Sequence, residues 1–345
     1  MNKKKVSLKD IAEKAQVSTA LVSYVLNGKE KESRVGHEIA VKIKQIAKEL
    51  NYQPNYLAKS LRSGKTQTIG LIIADISNPF FANIARIVED EAKKNGYTVI
   101  IGSSDEKAEK SWALITVFLN RQVDGFIIVS SENSEEQIEY LIEKNVAFVL
   151  LDRHFPDIPT HFVSLNSYKA AFDAGVHLIQ GGYKNIGLIA YKSQLFHMQE
   201  RIRGYRESLA ESGIVFHPAW LKEVGFDTID EEIKVGIDEM LASEFPVDAL
   251  IFATYRLAIT GLKYINALGL KVPDDLAIVS FGQAEVFDLY YCPITYVQQP
   301  MEELGKTAVE ILIHQLKEPH DEKRQTLMEA QLMARDSSRP KAAIS

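Results

Sequence analysis

From residue 67 onward, short apolar runs alternate with amphipathic stretches, and this alternation constrains the fold more than any other feature of the chain. The runs are "TIGLIIADI", "YTVIIGSS", "DGFIIVSS", "AFVLLDR", "NIGLIAY", "DALIFAT" and "LAIVSF", with helices predicted at 80–95, 107–121, 134–145, 168–180, 200–212, 228–243 and 256–268. Strands that are apolar at consecutive positions suit sheets covered on both faces, so the pattern predicts an α/β core with parallel sheets. Roughly 270 residues is large for a single sheet, and two similar lobes are expected. "GGY" at 181–183 reads as a helix stop and not as a nucleotide loop, since no strand leads directly into it.

The first 65 residues read differently. They hold 14 Lys and Arg against 6 Asp and Glu, a net +8, whereas the remaining 280 hold 26 against 40, a net −14. A small basic head on a large acidic body points to a polyanion as the partner of the head. "SLKD" at 7–10 is a capping box with Ser7 as N-cap and Asp10 at N3, and Leu8, Ile11, Ala12 and Ala15 follow at helical spacing. After the tight connection "AQVS", Ser18 can cap a second helix within "VSTALVSYVLNG". Its inner side carries Leu21, Val22, Val25 and Leu26. Its outer side carries Thr19, Ala20, Ser23, Tyr24 and Asn27, without a single charge. A third helix is predicted from about Glu38, with Ile39, Ile43, Ile46, Ala47 and Leu50 as its buried stripe. Three short helices with so brief a first turn predict a helix-turn-helix, whose second helix enters the DNA major groove. Short uncharged side chains permit that close approach; a free-standing bundle would give them no purpose.

The string "LKDIAEKAQVSTALVSYVLNG", followed by "IAKELNYQPNYLAKSLRSGKTQTIGLIIADISNPFF", resembles the lactose-repressor (LacI/GalR) family of bacterial transcription regulators. A looser similarity continues to about residue 338 through "RIRGYRESLAESG", "LGLKVPDDLAIVSF" and "LMARDSS". The resemblance implies an N-terminal all-α helix-turn-helix (1–50), a hinge helix and linker (51–66), and a two-lobed α/β core of the periplasmic-binding-protein type I fold with parallel sheets. The lobes would comprise 67–164 with 296–325 and 165–295 with 326–338, the chain crossing near 164, 295 and 325, and 339–345 would form a disordered tail. The implied partners are a near-palindromic double-stranded DNA operator, a second copy of the chain and a small-molecule effector.

By position, the resemblance gives Thr19 and Ala20 the reading of bases, Ser18, Ser23 and Asn27 contacts to phosphates or nearby bases, and Ser7 a phosphate contact. Two residues depart from the family. Tyr24 stands on the DNA-facing side where an Arg is common, so the operator sequence cannot be borrowed from relatives. Gln16 stands where Gly is usual, and a left-handed backbone there would cost about 1–2 kcal/mol. In "YQPNYLAKSLRSGK", Pro54 suits a first helical position and Gly64 lies past the end, but Tyr56, Leu57, Ala58 and Leu61 are too few to stabilise an isolated helix. In the family this hinge helix orders when two copies pair on the minor groove, which would put Asn55, Ala58 and Leu61 at the DNA, Leu61 as the wedge that kinks the duplex. "SGKT" at 63–66 is no phosphate loop, because position 59 is Lys where that motif requires Gly and a strand follows it instead of preceding it.

In the implied effector cleft, Arg201 of "RIRG", Asp152 and the pair Phe80-Phe81 occupy family pocket positions. The family's "ND" pair appears here as Thr254-Tyr255, and the Asp of its "GFD" signature as Gly282. A phenol at Tyr255 and no carboxylate at Gly282 would leave sugar hydroxyls unpaired, at about 1–3 kcal/mol each. The expected effector is therefore a small molecule other than a simple free sugar. Gln283 or Glu285 as substitute acceptors, and a regulator without an effector, remain alternatives.

Nothing points to catalysis. G-x-S-x-G and H-E-x-x-H are absent, the eight His lack ligand spacing, and Asp274-Asp275 reads as a solvated turn before a strand. No enzyme activity, metal or cofactor is expected. The single cysteine, Cys292, suits a reducing compartment. "MNKKKVSLKDIAEKA" lacks the apolar stretch of a signal peptide, and no run approaches the ~18 apolar residues of a membrane span. The expectation is a cytoplasmic protein without membrane association. A solute-binding protein of the same core fold is the rival reading, disfavoured by the DNA-binding head.

Overall fold

The computed structural model describes residues 6–30, 32–52, 64–318 and 322–341, and the chain divides into two compact units, Met1–Thr66 and Gln67–Ser345. In the first, α1 (Leu8–Ala15), α2 (Thr19–Leu26) and α3 (His37–Glu49) pack around Ile11, Val22, Val25 and Ile43, which are at most 1% exposed. The capping box forms: Ser7 Oγ accepts from Asp10 N at 3.4 Å and Ser7 N donates to the Asp10 carboxylate at 2.7 Å. The stripe expected on α3 holds at Ile43, Ile46 and Ala47, with Leu50 partly buried, but not at Ile39. Ala40 is buried while Ile39 is 41% exposed, because one residue turns a helix by about 100° and the inward face runs through 40, 43 and 47. The expected hinge helix, with Asn55, Ala58 and Leu61, lies outside the described residues.

The second unit holds two six-stranded sheets. The first contains β1 (Thr68–Ile73), β2 (Thr98–Ser103), β3 (Gly125–Ile128), β4 (Phe148–Leu151), β5 (Phe162–Leu165) and the late strand β11 (Gln325–Met328), all parallel, in the order β11-β5-β4-β3-β1-β2. On one face lie α4 (Pro79–Lys94) and α12 (Met301–Lys317); on the other lie α5 (Ala108–Asn120) and α6 (Glu135–Glu143). The second sheet contains β6 (Ile186–Tyr191), β7 (Leu221–Val224), β8 (Ala249–Phe252), β9 (Ala277–Phe281), β10 (Thr295–Gln298) and β12 (Gln331–Met333), in the order β12-β10-β9-β8-β6-β7. Only β12 is antiparallel to its neighbour. With it go α7 (Ser167–Gln180), α8 (Phe196–Glu211), α9 (Ile229–Leu241), α10 (Tyr255–Ala267) and the short α11 (Val286–Leu289). Every residue of β3, β4, β8 and β9 is buried, as the continuous apolar runs require of sheets covered on both faces.

Sheet membership shifts the crossovers. The chain leaves the first lobe after β5, re-enters it between β10 and α12, and leaves again between β11 and β12, so the crossings fall near 166, 299 and 329 instead of 164, 295 and 325. Residues 296–298 thus belong to the second lobe and 326–328 to the first, because each short strand pairs fully before the chain crosses: β10 along β9 from Thr295↔Val279, and β11 along β5 from Gln325↔Phe162. The expected disordered tail also starts too early at 339. Tyr183 Oη donates to Arg339 O at 2.8 Å and Lys341 N to Gly181 O at 2.9 Å, fixing 339–341 onto the end of α7. Among the described residues, no helix is long and apolar enough to cross a membrane.

Candidate nucleic-acid interface and ligand cleft

On the head, the turn between α1 and α2 is set by Gln16, whose backbone is left-handed at φ 58°. The N–H of this residue donates back to the end of α1, and Ser18 Oγ then accepts from Leu21 N at 3.2 Å to start α2. Thr19 and Ala20, in the first turn of α2, are exposed, as are Ser7, Ser18 and Asn27. Tyr24 is 46% exposed. Asn27 Nδ2 donates to Ser23 O at 2.6 Å and to Ser23 Oγ at 3.2 Å, so these two side chains hold each other. No residue of α2 is charged, and its open end offers unpaired N–H groups and short side chains suited to a phosphate backbone and base edges.

In the core, one cleft between the lobes gathers Phe80, Phe81, Asp152, Arg201 and Tyr255. Gly282 lies beside it and contributes no side chain. Its φ is +84°, and a β-carbon there would stand 3.4 Å from Gln299 Nε2. An aspartate at 282 would need a strained backbone, although its β-carbon would be in ordinary contact with Gln299. The left-handed backbone suits glycine, and Gln299, which the sequence reading missed, lies beside the position. Gln283 and Glu285 are exposed and outside the cleft lining.

The cleft forms at the carboxyl ends of the parallel strands, the general ligand position in such sheets. Asn78 caps α4, accepting from Phe80 N at 2.9 Å, and so fixes Phe80 and Phe81. Arg201 is positioned by helix packing. A β-carbon on Gly204 would meet Tyr168 O at 2.2 Å, so the glycine of "RIRG" lets α8 lie against α7, which sets Arg201 in the cleft wall. There Arg201 Nη1 donates to Ala253 O at 2.7 Å and the guanidinium stacks 4.4 Å from the Phe281 ring centre. Burial, opposed by Asp152 and aided by Arg153, pulls its pKa down to about 10.

Arg153, also missed, forms a bidentate pair with Glu106 at 2.5 and 2.8 Å. Burial disfavours its charge, but Glu106 outweighs this and holds the guanidinium firmly protonated. Burial pushes the Asp152 carboxyl up, against Arg153 and Arg201. Among the buried polar atoms of the lining without a hydrogen-bond partner are Arg153 Nε, Arg201 Nε, His197 Nδ1 and Gln299 Oε1. Such atoms are costly unless something satisfies them. Glu106, Arg153 and Gln299 follow the ends of β2, β4 and β10 by three, two and one residues; the apolar runs at β2 and β4 are the signal that could have found the first two. Among the described residues, no group of His, Cys, Asp and Glu could hold a metal ion.

A helix-turn-helix head and a two-lobed core with a polar cleft define a DNA-binding regulator with an effector-binding core. Residues 7–55 match the description of bacterial regulatory proteins of the lacI family, and residues 176–338 match the periplasmic binding protein-like domain. The ribose operon repressor of Haemophilus influenzae is 32% identical over 96% of this chain and 98% of its own length. The HTH-type transcriptional repressor PurR of Aliivibrio salmonicida is 31% identical over the same shares. The fold is also that of the Lac repressor dimer bound to operator and the anti-inducer ONPF, with TM-score 0.84, 23% identity, and coverage of 97% of this chain and 100% of that one. The chain belongs to the lacI family of transcriptional regulators.

Proposed function

We propose that the chain represses transcription by binding a near-palindromic operator as a homodimer, under the control of a small molecule in the inter-lobe cleft, and that it carries no enzymatic activity. The exposed, uncharged face of α2 carries this reading. Thr19 and Ala20 read bases, Ser7, Ser18, Ser23 and Asn27 seat the helix on phosphates and nearby bases, and Tyr24 packs at the groove edge. Two hinge segments then pair on the minor groove through Asn55, Ala58 and Leu61. The PurR and ribose operon repressors among its relatives support the repressor sign. Replacing Leu61 by Ala tests the scheme: binding to the selected operator weakens more than binding to random DNA, because a wedge repays unstacking only at a deformable central step. Equal losses on both would reduce Leu61 to packing.

The effector is a polar molecule other than a plain monosaccharide, with an anionic or carbonyl group for Arg201 and, beside it, Arg153. Guanidinium Nε atoms of both residues without a hydrogen bond support this, as does the absence of a carboxylate at Gly282. A thermal-shift screen of sugars, sugar phosphates, nucleobases and amino acids tests it. A ligand at a hundredfold over its Kd adds about 2.7 kcal/mol; such a shift from a free monosaccharide that also releases operator would overturn this assignment.

A further inference from the structure

A second cavity of about 330 Å³ lies between the lobes and shares no residue with the ligand cleft. Its size is at the lower end of small-molecule sites. The first lobe supplies Glu132, Glu135, His154 and Asp157, and the second supplies Gln194 and Phe196. Glu132 Oε1 accepts from Gln194 N at 2.6 Å, joining the two walls. The lining holds three carboxylates and neither Lys nor Arg. His154 is 7% exposed, and its Nδ1 is buried without a hydrogen-bond partner. Its ring stacks 3.9 Å from Phe162, with Phe196 at its edge 5.1 Å away. Burial, only partly opposed by Glu200, lowers its pKa to about 4, so at neutral pH it adds no positive charge to offset the carboxylates.

The acidic groups are spread around the cavity, and no three of them close to metal-binding distance. An extended, cationic and partly apolar molecule would complement this lining. We propose that this cavity is a second ligand site for an aliphatic diamine or polyamine. Its ammonium groups meet Glu132, Glu135 and Asp157, its methylene stem lies along Phe155 and Phe196, and neutral His154 supplies a ring nitrogen. Because both lobes form the walls, occupancy favours the arrangement in which they meet.

Calorimetric titration of the full chain with spermidine tests this, with 1,4-butanediol as an uncharged stem. Saturable spermidine binding is expected, and none with the diol. The Glu135→Gln/Asp157→Asn variant, altered at two exposed positions, should bind about fivefold more weakly. His154→Phe, which keeps a ring against Phe162, should also weaken binding. Glu231→Gln/Glu310→Gln removes the same charge elsewhere and should bind as the unaltered chain does. No saturable binding at millimolar spermidine, or equal losses in the two double variants, would overturn the proposal.

Discussion

Tyr255 Oη donates to Asn78 Oδ1 at 2.9 Å, and this bond crosses the cleft from the second lobe to the first. Beside it, Arg256 faces Asp75 at 3.6 Å, again across the cleft. The residue that departs from the family's pair of polar anchors thus ties the lobes together. Tyr255→Phe keeps the ring and removes the bond. A part-buried hydrogen bond contributes about 0.5–1.5 kcal/mol, so Tm should fall by roughly 1–3 °C. Calorimetry showing no change would mean that the bond merely replaces water contacts.

The Arg153–Glu106 pair is the most buried bidentate pair of the cleft, with side chains 9% and 19% exposed. Glu106→Gln leaves a buried guanidinium without its counter-charge, a loss of about 3–5 kcal/mol. Denaturant titration reads it directly; a loss below about 1 kcal/mol would show that water or Asp152 replaces the carboxylate.

Acid should weaken the core through its buried histidines. His154 titrates near pH 4 when folded because of burial, against 6.5 ordinarily. The unfolded chain therefore takes up this proton first, and stability falls as pH drops from about 6.5 to 4, by up to about 3 kcal/mol. Burial lowers His177 and His197 in the same sense. Melts at pH 7 and 4.5 should show His154→Phe losing less stability than the unaltered chain; parallel losses would remove His154 from the account.

Gln16 holds a left-handed backbone at φ 58° that glycine adopts freely. Gln16→Gly should stabilise the head by up to about 1 kcal/mol, seen as slower amide exchange across α1 and α2. Faster exchange would show that flexibility gained in the unfolded chain dominates.

Tyr24→Arg places a cation on the exposed face of α2. If that face meets phosphates, DNA affinity rises at low salt and the slope of log affinity against log salt steepens by about 0.9. An unchanged slope would place Tyr24 away from the backbone.

The sequence alone determined the layers of the core and the helices of the head. Continuous apolar runs report burial on both faces, and the Ser7–Asp10 capping box and the cap at Ser18 act within a few residues. It also determined that Phe80, Phe81, Asp152, Arg201 and Tyr255 were worth attention, through motifs that survive in one dimension. Tertiary structure decided the rest. β7, β11 and β12 are three- or four-residue edge strands with little apolar signal, and they exist because a neighbouring strand offers its ladder. Ile39 and Ala40 differ by one residue, too fine for periodicity to place on the correct side of α3. Glu106, Arg153 and Gln299 come from separate strand ends and form one site only after both sheets twist their carboxyl edges toward the same cleft. Buried charge pairing of this kind depends on distance in space, and spacing along the chain carries no record of it.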